Sequence, residues 1–288
     1  MTSIAALLAG GRTVSFEFFP PKDDLEHARL AQALQELQPL QPSFVSVTYR
    51  GGRSSRQRTH ELVVGMLRTT TLTPMAHLIC VAHTRLELAE ILVQFRQAGV
   101  ENLMALGGDP PTDPDAAEGE LAHAIELVEL ARAIGGFSIG VAAHPAGHPR
   151  SADLSTDRDF LAEKLRLADF GVTQFFFQTS DYFGLVDDLD RRGLRVPIIP
   201  GIMPVTSRSS ISRMAQMGSA VPPAMAARLA AAGGDGDVRR LGIELATAMC
   251  QELLDAGAPG LHFYTLNRSL ATREIYANLT MGARSTDA

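Results

Sequence analysis

Val14-Ser15-Phe16-Glu17-Phe18-Phe19-Pro20-Pro21 is the stretch of this 288-residue chain on which the fold prediction rests. The run is short, rich in aromatic residues and ended by two prolines, so it predicts a buried strand. Carboxylates are rarely buried without a partner, and Glu17 is the one carboxylate in the run. The phenylalanines beside it are expected to desolvate the carboxyl and raise its pKa, as a general acid requires. Two other interpretations stay open, in which Glu17 faces outward or pairs with an arginine or lysine.

Seven further apolar, β-prone runs follow, and amphipathic helical patterns lie between them. The predicted strands are 14–19, 44–49, 75–81, 102–106, 137–144, 172–178, 196–202 and 260–266. The predicted helices are 25–37, 57–68, 85–98, 118–134, 157–168, 182–192, a long stretch from about 209 to 256, and 269–279. Strands that are apolar on both faces and alternate with helices indicate a parallel sheet. Eight such units predict an α/β fold, a single (β/α)8 TIM barrel with additional helices.

The alternative fold is an open, doubly wound sheet, which usually carries a glycine-rich phosphate turn after an early strand. Neither Gly51-Gly52 nor Gly107-Gly108 matches that fingerprint, and no Walker motif is present. Val221-Pro222-Pro223 predicts a break within the long helical stretch. We expect one barrel domain over residues 1–288, with a lead-in at about 1–12, a flexible tail at about 283–288 and no second domain.

Composition argues against several classes of protein, among them nucleic-acid-binding and membrane-spanning proteins. A net charge of -6 and a pI near 5.8 argue against non-specific nucleic-acid binding. The two cysteines, Cys80 and Cys250, lie far apart in apolar surroundings and indicate core residues of a reduced protein. No apolar run is long enough to span a membrane, and the first residues lack the features of a signal peptide. We therefore expect a cytoplasmic protein with no membrane partner.

Polar side chains end or follow most of the predicted strands. Active sites of such barrels lie at the carboxyl ends of the strands, so these side chains are candidates for one shared site. Each also has an ordinary structural interpretation, such as a core histidine or a turn-forming aspartate. Their convergence on one rim favours a functional role. The candidates are Glu17, Thr48, Tyr49, His77, Gly107, Gly108, Asp109, His144, His148, Gln174, Gln178, Tyr264 and Arg268.

His144 and His148 have the four-residue spacing of a metal-binding pair on a helix. Pro145 and Pro149 are incompatible with a regular helix at this point, and no third ligand is close in sequence. We predict no metal site. No nucleophile elbow is present, so covalent catalysis has no candidate in the sequence.

A series of motifs runs in a fixed order over nearly the whole chain. They are Ser15-Phe16-Glu17-Phe18-Phe19-Pro20-Pro21, Val45-Ser46-Val47-Thr48-Tyr49, Arg58-Thr59-His60, Asn102-Leu103-Met104-Ala105-Leu106, Gly108-Asp109-Pro110, Val141-Ala142-Ala143 with His148-Pro149, Thr173-Gln174-Phe175-Phe176-Phe177, Ile199-Pro200-Gly201-Ile202-Met203-Pro204 and Leu261-His262-Phe263-Tyr264-Thr265-Leu266-Asn267-Arg268. With these motifs the chain resembles the methylenetetrahydrofolate reductase family, in the bacterial form that consists of the catalytic barrel.

The resemblance implies a reaction in two steps. FAD would lie across the barrel mouth and take a hydride from NADH or NADPH, and the folate would then bind in the place of the nicotinamide. Glu17 would be the general acid that opens the ring of 5,10-methylenetetrahydrofolate to an iminium cation, which is reduced to 5-methyltetrahydrofolate for methionine biosynthesis. Asp109 would contact both pterin and flavin and favour the cation.

The resemblance also assigns ligand contacts and a homo-oligomeric assembly. The flavin contacts are Thr48, Tyr49, His77, Gly108, Asp109, His144, His148, Asp157 and Lys164. The contacts to folate or nicotinamide are Gln174, Tyr264 and Arg268. The sequence does not distinguish NADH from NADPH as the donor, because the ribose signature of a Rossmann fold is missing.

Three departures from the family pattern affect the cofactor. Gly107 stands where many members have an arginine that holds FAD, His144 replaces a tyrosine, and the segment 205–208 lacks a phenylalanine that some members stack on the ligand. Loss of a charge-assisted phosphate contact costs about 1.5–3 kcal/mol, so we expect weakened FAD binding. Arg53, Arg150 and Arg208 are candidates to compensate. A flavin-free folate reductase and a non-catalytic folate-binding subunit are the alternatives.

Overall fold

The strands form the barrel that the alternating pattern predicts. The computed structural model describes residues 2–49, 53–109 and 119–280, without the side chains of 53–55. All strand pairs in this part of the chain are parallel. The strands are β1 Thr13–Phe18, β2 Phe44–Val47, β3 Pro74–Ile79, β4 Asn102–Leu106, β5 Ser138–Ala143, β6 Phe170–Thr173, β7 Ile198–Ile199, β8 Gly201–Ile202 and β9 Gly260–Tyr264.

Helices follow almost every strand and pack around the sheet. They are α1 Ile4–Ala9, α2 Asp24–Leu37, α3 Arg53–Thr69, α4 Arg85–Gln97, α5 Ala124–Ile134, α6 Leu154–Leu167, α7 Thr179–Arg191, α8 Arg208–Gln216, α9 Pro223–Ala230, α10 Asp235–Asp255 and α11 Leu270–Ala277. The long stretch predicted from 209 to 256 is three helices, and the break at Pro222 is confirmed because Pro223 begins α9. The predicted helix 118–134 begins later, at Ala124, with His123 as its N-cap.

The barrel closes at a proline. The strand order is β7-β6-β5-β4-β3-β2-β1-β9-β8, and β7 and β8 are consecutive in the chain with only Pro200 between them. β7 pairs with β6 on one side, and β8 pairs with β9 on the other. Pro200 has no N–H to donate, but its carbonyl accepts a hydrogen bond from His262 N at 3.0 Å. β7 and β8 are therefore two halves of the eighth barrel strand, and the predicted eight-unit barrel is confirmed.

Strand alternation divides the apolar side chains between two layers. On β1, Val14, Phe16 and Phe18 belong to the large core between the sheet and the helices. The interior of the barrel contains a second, smaller core with Phe44 and Met75 among its members. Because successive side chains of a strand point to opposite faces, Ser15 and Glu17 point into the barrel.

Helix α1 closes the amino-terminal end of the barrel, a feature that the sequence did not reveal. Ile4 and Leu8 pack into the interior core. The Ile4 N–H donates to Asn102 Oδ1 at 2.8 Å, and the Ala5 N–H donates to Ser138 Oγ at 3.1 Å. Side chains at the start of β4 and β5 thereby satisfy amides of the first helical turn. The predicted lead-in is a structural plug.

Two predictions from composition concern burial and membranes. Cys80 and Cys250 are both buried and unpaired, as predicted for core residues. Burial raises the pKa of the Cys80 thiol to about 12. Across the described ranges, no helix has the length and apolarity needed to cross a membrane. The predicted flexible tail at 283–288 lies outside the described residues.

Candidate active site

Glu17 lies at the carboxyl end of β1, inside the barrel, with 15% of its side chain exposed. Three polar groups lie within 3.5 Å of one carboxylate oxygen, Oε2. Ser46 Oγ donates to it at 3.3 Å, His262 Nε2 lies 3.4 Å away, and His77 Nε2 lies 3.5 Å away. The parallel register explains this grouping, since Glu17 is paired with Ser46 on β2 and with Tyr264 on β9. The prediction that Glu17 points inward is confirmed.

The prediction that the pKa of Glu17 is raised is wrong. Burial does raise the pKa, but the hydrogen bond from His262, the charges of His77 and His262 and the bond from Ser46 together lower it below the ordinary value. The physical reason is strand alternation, which sends Phe16 and Phe18 into the outer core, away from the carboxyl. Glu17 therefore has polar neighbours, and in the ligand-free protein it is an ionised hydrogen-bond acceptor.

Ser15 lies behind His262 and completes a chain of polar groups that ends on Glu17. Ser15 Oγ is 2.8 Å from His262 Nδ1, and His262 Nε2 faces the carboxylate. The carboxylate can only accept, so His262 Nε2 carries a hydrogen directed at Glu17. Ser15 Oγ, which also donates to the Leu261 carbonyl at 3.3 Å, contacts the other ring nitrogen and so fixes the orientation of the His262 ring.

Tyr264 closes the other side of this group. Its hydroxyl donates to the Thr173 carbonyl at 2.7 Å, and its ring meets that of His262 edge-on, with centroids 5.3 Å apart. Burial, and secondarily the charge of Glu17, raise the pKa of Tyr264 well above its ordinary value. A Cβ on Gly201 would lie 2.6 Å from the Tyr264 ring and 2.2 Å from the Thr173 carbonyl, so only glycine permits this packing at the barrel closure.

Two buried polar atoms at the ends of β2 and β3 lack a hydrogen-bond partner in the described structure. They are Thr48 Oγ1 and His77 Nε2, and the latter has Glu17 as a neighbour only at 3.5 Å. Burial lowers the pKa of His77 despite the opposing charge of Glu17. Unpaired buried polar atoms are costly and rare, so both atoms are candidates for contact with a ligand.

The four predicted residues around α6 form a second cluster. The His144 and His148 rings meet edge-on, with centroids 4.6 Å apart. Asp157 accepts hydrogen bonds from the His148 backbone N–H at 3.1 Å and from Ser151 Oγ at 3.0 Å. Lys164 Nζ donates to the Ala142 carbonyl at 3.1 Å.

Burial controls the charges in this cluster. Burial, and secondarily the charges of His148 and Lys164, lower the pKa of His144 to about 4. Burial also lowers the pKa of Lys164, although the Asp157 charge opposes this. His144 is therefore neutral at pH 7 and presents a hydrogen-bonding ring rather than a charge.

Arg158 holds this cluster in position and was missed in the sequence. It is only 1% exposed and binds the loop after β5 through the carbonyls of His144 at 2.9 Å and Pro145 at 2.6 Å. Its guanidinium also pairs with Asp157 at 3.1 Å and lies 3.5 Å from Asp188 of α7. The adjacent Asp157 was predicted from the family motif, but nothing in the local pattern distinguishes Arg158 from a surface arginine.

The end of β4 lies beside this cluster. Gly108 has a φ of +87°, and a Cβ there would lie 2.5 Å from Val81 Cγ2. At Gly107 an added Cβ would be 3.9 Å from its nearest described neighbour, so a Cβ fits at this position. Arg150 Nη2 donates to the Gly108 carbonyl at 3.4 Å, whereas Asp109 is exposed. Among the candidate compensating arginines, Arg150 lies at this strand end.

The predicted substrate residues Gln174 and Arg268 have other partners than Glu17 in the described structure. Gln174 donates to the Met217 carbonyl at 3.1 Å and accepts from the Phe175 N–H at 3.0 Å. Arg268 is exposed, and its backbone N–H donates to the Thr265 carbonyl. Arg208, another candidate to compensate for the missing arginine, hydrogen-bonds carbonyls at the end of α9 instead. Arg53 has no described side chain.

Sequence reasoning listed Glu17 and Tyr264 but missed the polar residues that orient them. Ser15 and His262 lie two residues before these side chains on the same strands, so the two-residue period would have found them. Asn267 was also missed as a site residue. It fixes the end of β1 by accepting from the Phe19 N–H at 3.0 Å and donating to the Phe19 carbonyl at 2.9 Å.

Comparison with known proteins identifies the family. Residues 2–280 match the family model described as methylenetetrahydrofolate reductase. The chain belongs to this family. It is 35% identical to 5,10-methylenetetrahydrofolate reductase of Escherichia coli over 267 residues, covering 92% of this chain and 89% of that protein. It is 34% identical to the Pectobacterium carotovorum enzyme of the same name over 270 residues, with the same coverage.

A plant relative and two solved structures extend the comparison. Methylenetetrahydrofolate reductase (NADH) 1 of Arabidopsis thaliana is 33% identical, and the match covers 94% of this chain but 48% of that protein. A Clostridium thermocellum protein described as binding two copies of 5-methyl-5,6,7,8-tetrahydrofolic acid superposes with a TM-score of 0.66 at 13% identity, covering 93% of this chain and 94% of the other. Dihydropteroate synthase from Xanthomonas albilineans gives 0.51 at 16%, covering 93% and 91%. These structures support the shared fold.

Proposed function

We propose that this member of the methylenetetrahydrofolate reductase family reduces 5,10-methylenetetrahydrofolate to 5-methyltetrahydrofolate, with FAD as the cofactor and NADH or NADPH as the donor. The observation that carries the proposal is the carboxylate of Glu17 at the barrel mouth, with His262, His77 and Ser46 directed at one of its oxygens. Family membership and the relatives' names supply the substrate.

The residues around the mouth fit a flavin nucleotide. When bound, FAD supplies the hydride chemistry that no side chain of the protein can provide. Thr48 Oγ1 and His77 Nε2 are buried polar atoms that need a partner, and a heteroaromatic ring with several polar atoms would provide one. Lys164, Arg150 and the rings of His144 and His148 offer the cationic and polar groups suited to a diphosphate.

Glu17 and its neighbours are proposed to hold the proton that the folate ring requires. In the ligand-free protein the carboxylate is ionised, while His262 and His77 lie within 3.5 Å of it. A ligand that covers the mouth excludes water and raises the pKa of Glu17, so the carboxyl binds a proton from solvent as the ligand binds. Glu17 can then donate it as a general acid.

The remaining predicted residues are proposed to bind the two substrates in turn. Gln174 has an amide that can both donate and accept, as recognition of a pterin edge requires. Its present partner, the Met217 carbonyl, lies in the turn after α8, so this bond would exchange for a bond to substrate. Tyr264 offers an aromatic face beside His262, and Arg268 is an exposed cation suited to a carboxylate of the folate tail.

Replacement of Glu17 separates the two half-reactions. We expect Glu17→Gln to lose folate reduction by a factor of about 10²–10⁴, the usual contribution of a general acid. Reduction of the bound flavin by NADH should continue, because hydride transfer to FAD needs no proton from Glu17. Stopped-flow absorbance of bound FAD measures each step separately, and Glu90→Gln on the exposed face of α4 is the matched control.

Three outcomes are informative. Loss of both half-reactions in a folded Glu17→Gln protein would contradict the role of Glu17 as the acid for folate. Full folate reduction by the variant would also contradict it. A wild-type protein that reduces the folate with NADH in the absence of flavin would favour the flavin-free alternative.

A further inference from the structure

His83, in the turn between β3 and α4, is a buried histidine with a defined role in hydrogen bonding. It is 3% exposed, and both ring nitrogens have partners. The preceding residue, Ala82, has a φ of +61°, a left-handed conformation that is strained for a non-glycine residue. This strained residue turns the chain so that His83 faces Tyr49 at the end of β2. Strain of this kind is retained where the surrounding structure requires it.

The partners of His83 define its tautomer. Nδ1 lies 2.8 Å from the Val81 carbonyl, which can only accept, so Nδ1 carries a hydrogen. Nε2 lies 2.9 Å from the Tyr49 hydroxyl. In a neutral ring Nε2 has only a lone pair, so Tyr49 must donate its single hydrogen to His83. The phenol oxygen of Tyr49 is left with lone pairs alone for any other contact.

The same turn also supports the loop after β4. The His83 carbonyl accepts from the Glu120 N–H at 2.9 Å, and the Val81 N–H donates to the Gly107 carbonyl at 3.2 Å. Gly119 approaches so closely that a Cβ there would lie 2.7 Å from the Cys80 carbonyl. Both described ends of the segment that carries Gly108 and Asp109 therefore contact the turn that contains His83.

We propose that His83 is a positioning residue, which holds Tyr49 at the barrel mouth with only its oxygen lone pairs available, so that Tyr49 accepts a hydrogen bond from the bound ligand and cannot donate one. The ligand part of this inference rests on the proposed function, in which Tyr49 contacts the flavin nucleotide. The matching ligand group is a donor, such as a ring N–H or a ribityl hydroxyl. His83 itself does not touch the ligand.

The first test needs no cofactor. Nitrogen-15 NMR of the ligand-free protein, with His83→Gln used to assign the signals, reports which ring nitrogen of His83 is protonated at pH 7. We expect Nδ1 to carry a hydrogen and Nε2 to carry none. The nitrogen-15 chemical shift of Nε2 should change in Tyr49→Phe, because that variant removes the hydroxyl that donates to it. A hydrogen on Nε2 would overturn the inference, because Tyr49 would then be the acceptor of the pair.

The second test is a double-mutant cycle on FAD affinity, measured by quenching of flavin fluorescence. His83→Phe keeps a ring but removes the acceptor, and Tyr49→Phe removes the hydroxyl. Loss of one neutral hydrogen bond weakens binding about fivefold, so we expect each variant to raise the FAD Kd by about that factor. The double variant should be little worse than either one, because both remove the same contact.

Conservative variants separate positioning from packing. His83→Gln can accept from Tyr49 and donate to the Val81 carbonyl, so it should restore most of the FAD affinity lost in His83→Phe. Ala82→Gly relieves the left-handed strain without touching His83, so it should leave the FAD Kd unchanged. Additive effects in the cycle, or a lowered melting temperature with an unchanged Kd, would show that His83 only fills space. A wild-type protein that binds no FAD would contradict the proposed function, while the NMR result would still decide the state of His83.

Discussion

Glu17 shows how strand geometry sets the chemistry of one residue. Its sequence neighbours are phenylalanines, but its spatial neighbours are Ser46, His77 and His262 on three other strands. A two-residue period directs alternate side chains to opposite faces, so residues adjacent in sequence say little about the surroundings of a strand carboxylate. The position of Glu17 inside the barrel could be predicted from the sequence. Its lowered pKa could not, because that depends on histidines far away in the chain.

The lowered pKa of His144 predicts that the free energy of unfolding depends on pH. Its pKa falls from 6.5 in the unfolded chain to about 4 in the folded protein. Between these values the unfolded state binds the extra proton, so stability decreases as pH falls from 6.5 towards 4. From pH 7 to pH 5 the loss attributable to His144 is about 2 kcal/mol. Urea unfolding of wild type and His144→Gln at both pH values measures it. An equal loss in both proteins would contradict the prediction.

Substitution of Gly107 by arginine is predicted to increase the affinity for FAD. An added Cβ would lie 3.9 Å from the nearest described atom, so the first carbon of a side chain fits at this position. We expect Gly107→Arg to lower the FAD Kd about tenfold through a charge-assisted hydrogen bond to phosphate. Gly107→Ala, which adds the carbon without the charge, is the control. If titration of the apoprotein gave the same FAD Kd for all three proteins, the departure at Gly107 would have no effect on the cofactor.

The elements of the fold differ in how far the sequence predicts them. Alternating strands and helices follow from hydrophobic periodicity, because both faces of a parallel strand are buried and every helix has one apolar face. Helix α1 could not be predicted in this way, because six residues are too few to show a periodic pattern. It is stabilised by contacts with Asn102 and Ser138, which are 98 and 133 residues away from their partners in the sequence. The split of the eighth strand at Pro200 is also a consequence of barrel closure.

The plug formed by α1 gives a stability prediction at the element scale. Ile4 is fully buried against the interior core, so Ile4→Ala leaves a cavity and should lower the free energy of unfolding by about 2–5 kcal/mol. Leu25→Ala makes a comparable change on an exposed face of α2 and should cost little. Chemical denaturation measures both. A cost below about 1 kcal/mol for Ile4→Ala would mean that the helix does not seal the barrel.

On the scale of the whole molecule, closure of the barrel brings distant segments to one rim. Glu17 near the start of the chain meets Tyr264 near its end because β1 pairs with β9. The cluster of His144, Asp157 and Lys164 lies on the same carboxyl side, since the strands are parallel. The sequence could predict which residues reach this rim. It could not predict that Arg158, His83 and Asn267 hold them in position, because each of these side chains contacts a different segment of the chain.

The most direct test is an anaerobic absorbance experiment on the purified protein with added FAD. NADH and then 5,10-methylenetetrahydrofolate are supplied in sequence. We predict a flavin spectrum that NADH bleaches and that the folate restores, with 5-methyltetrahydrofolate as the product. A protein that takes up no FAD, or a bleached flavin that the folate does not reoxidise, would contradict the proposed reaction.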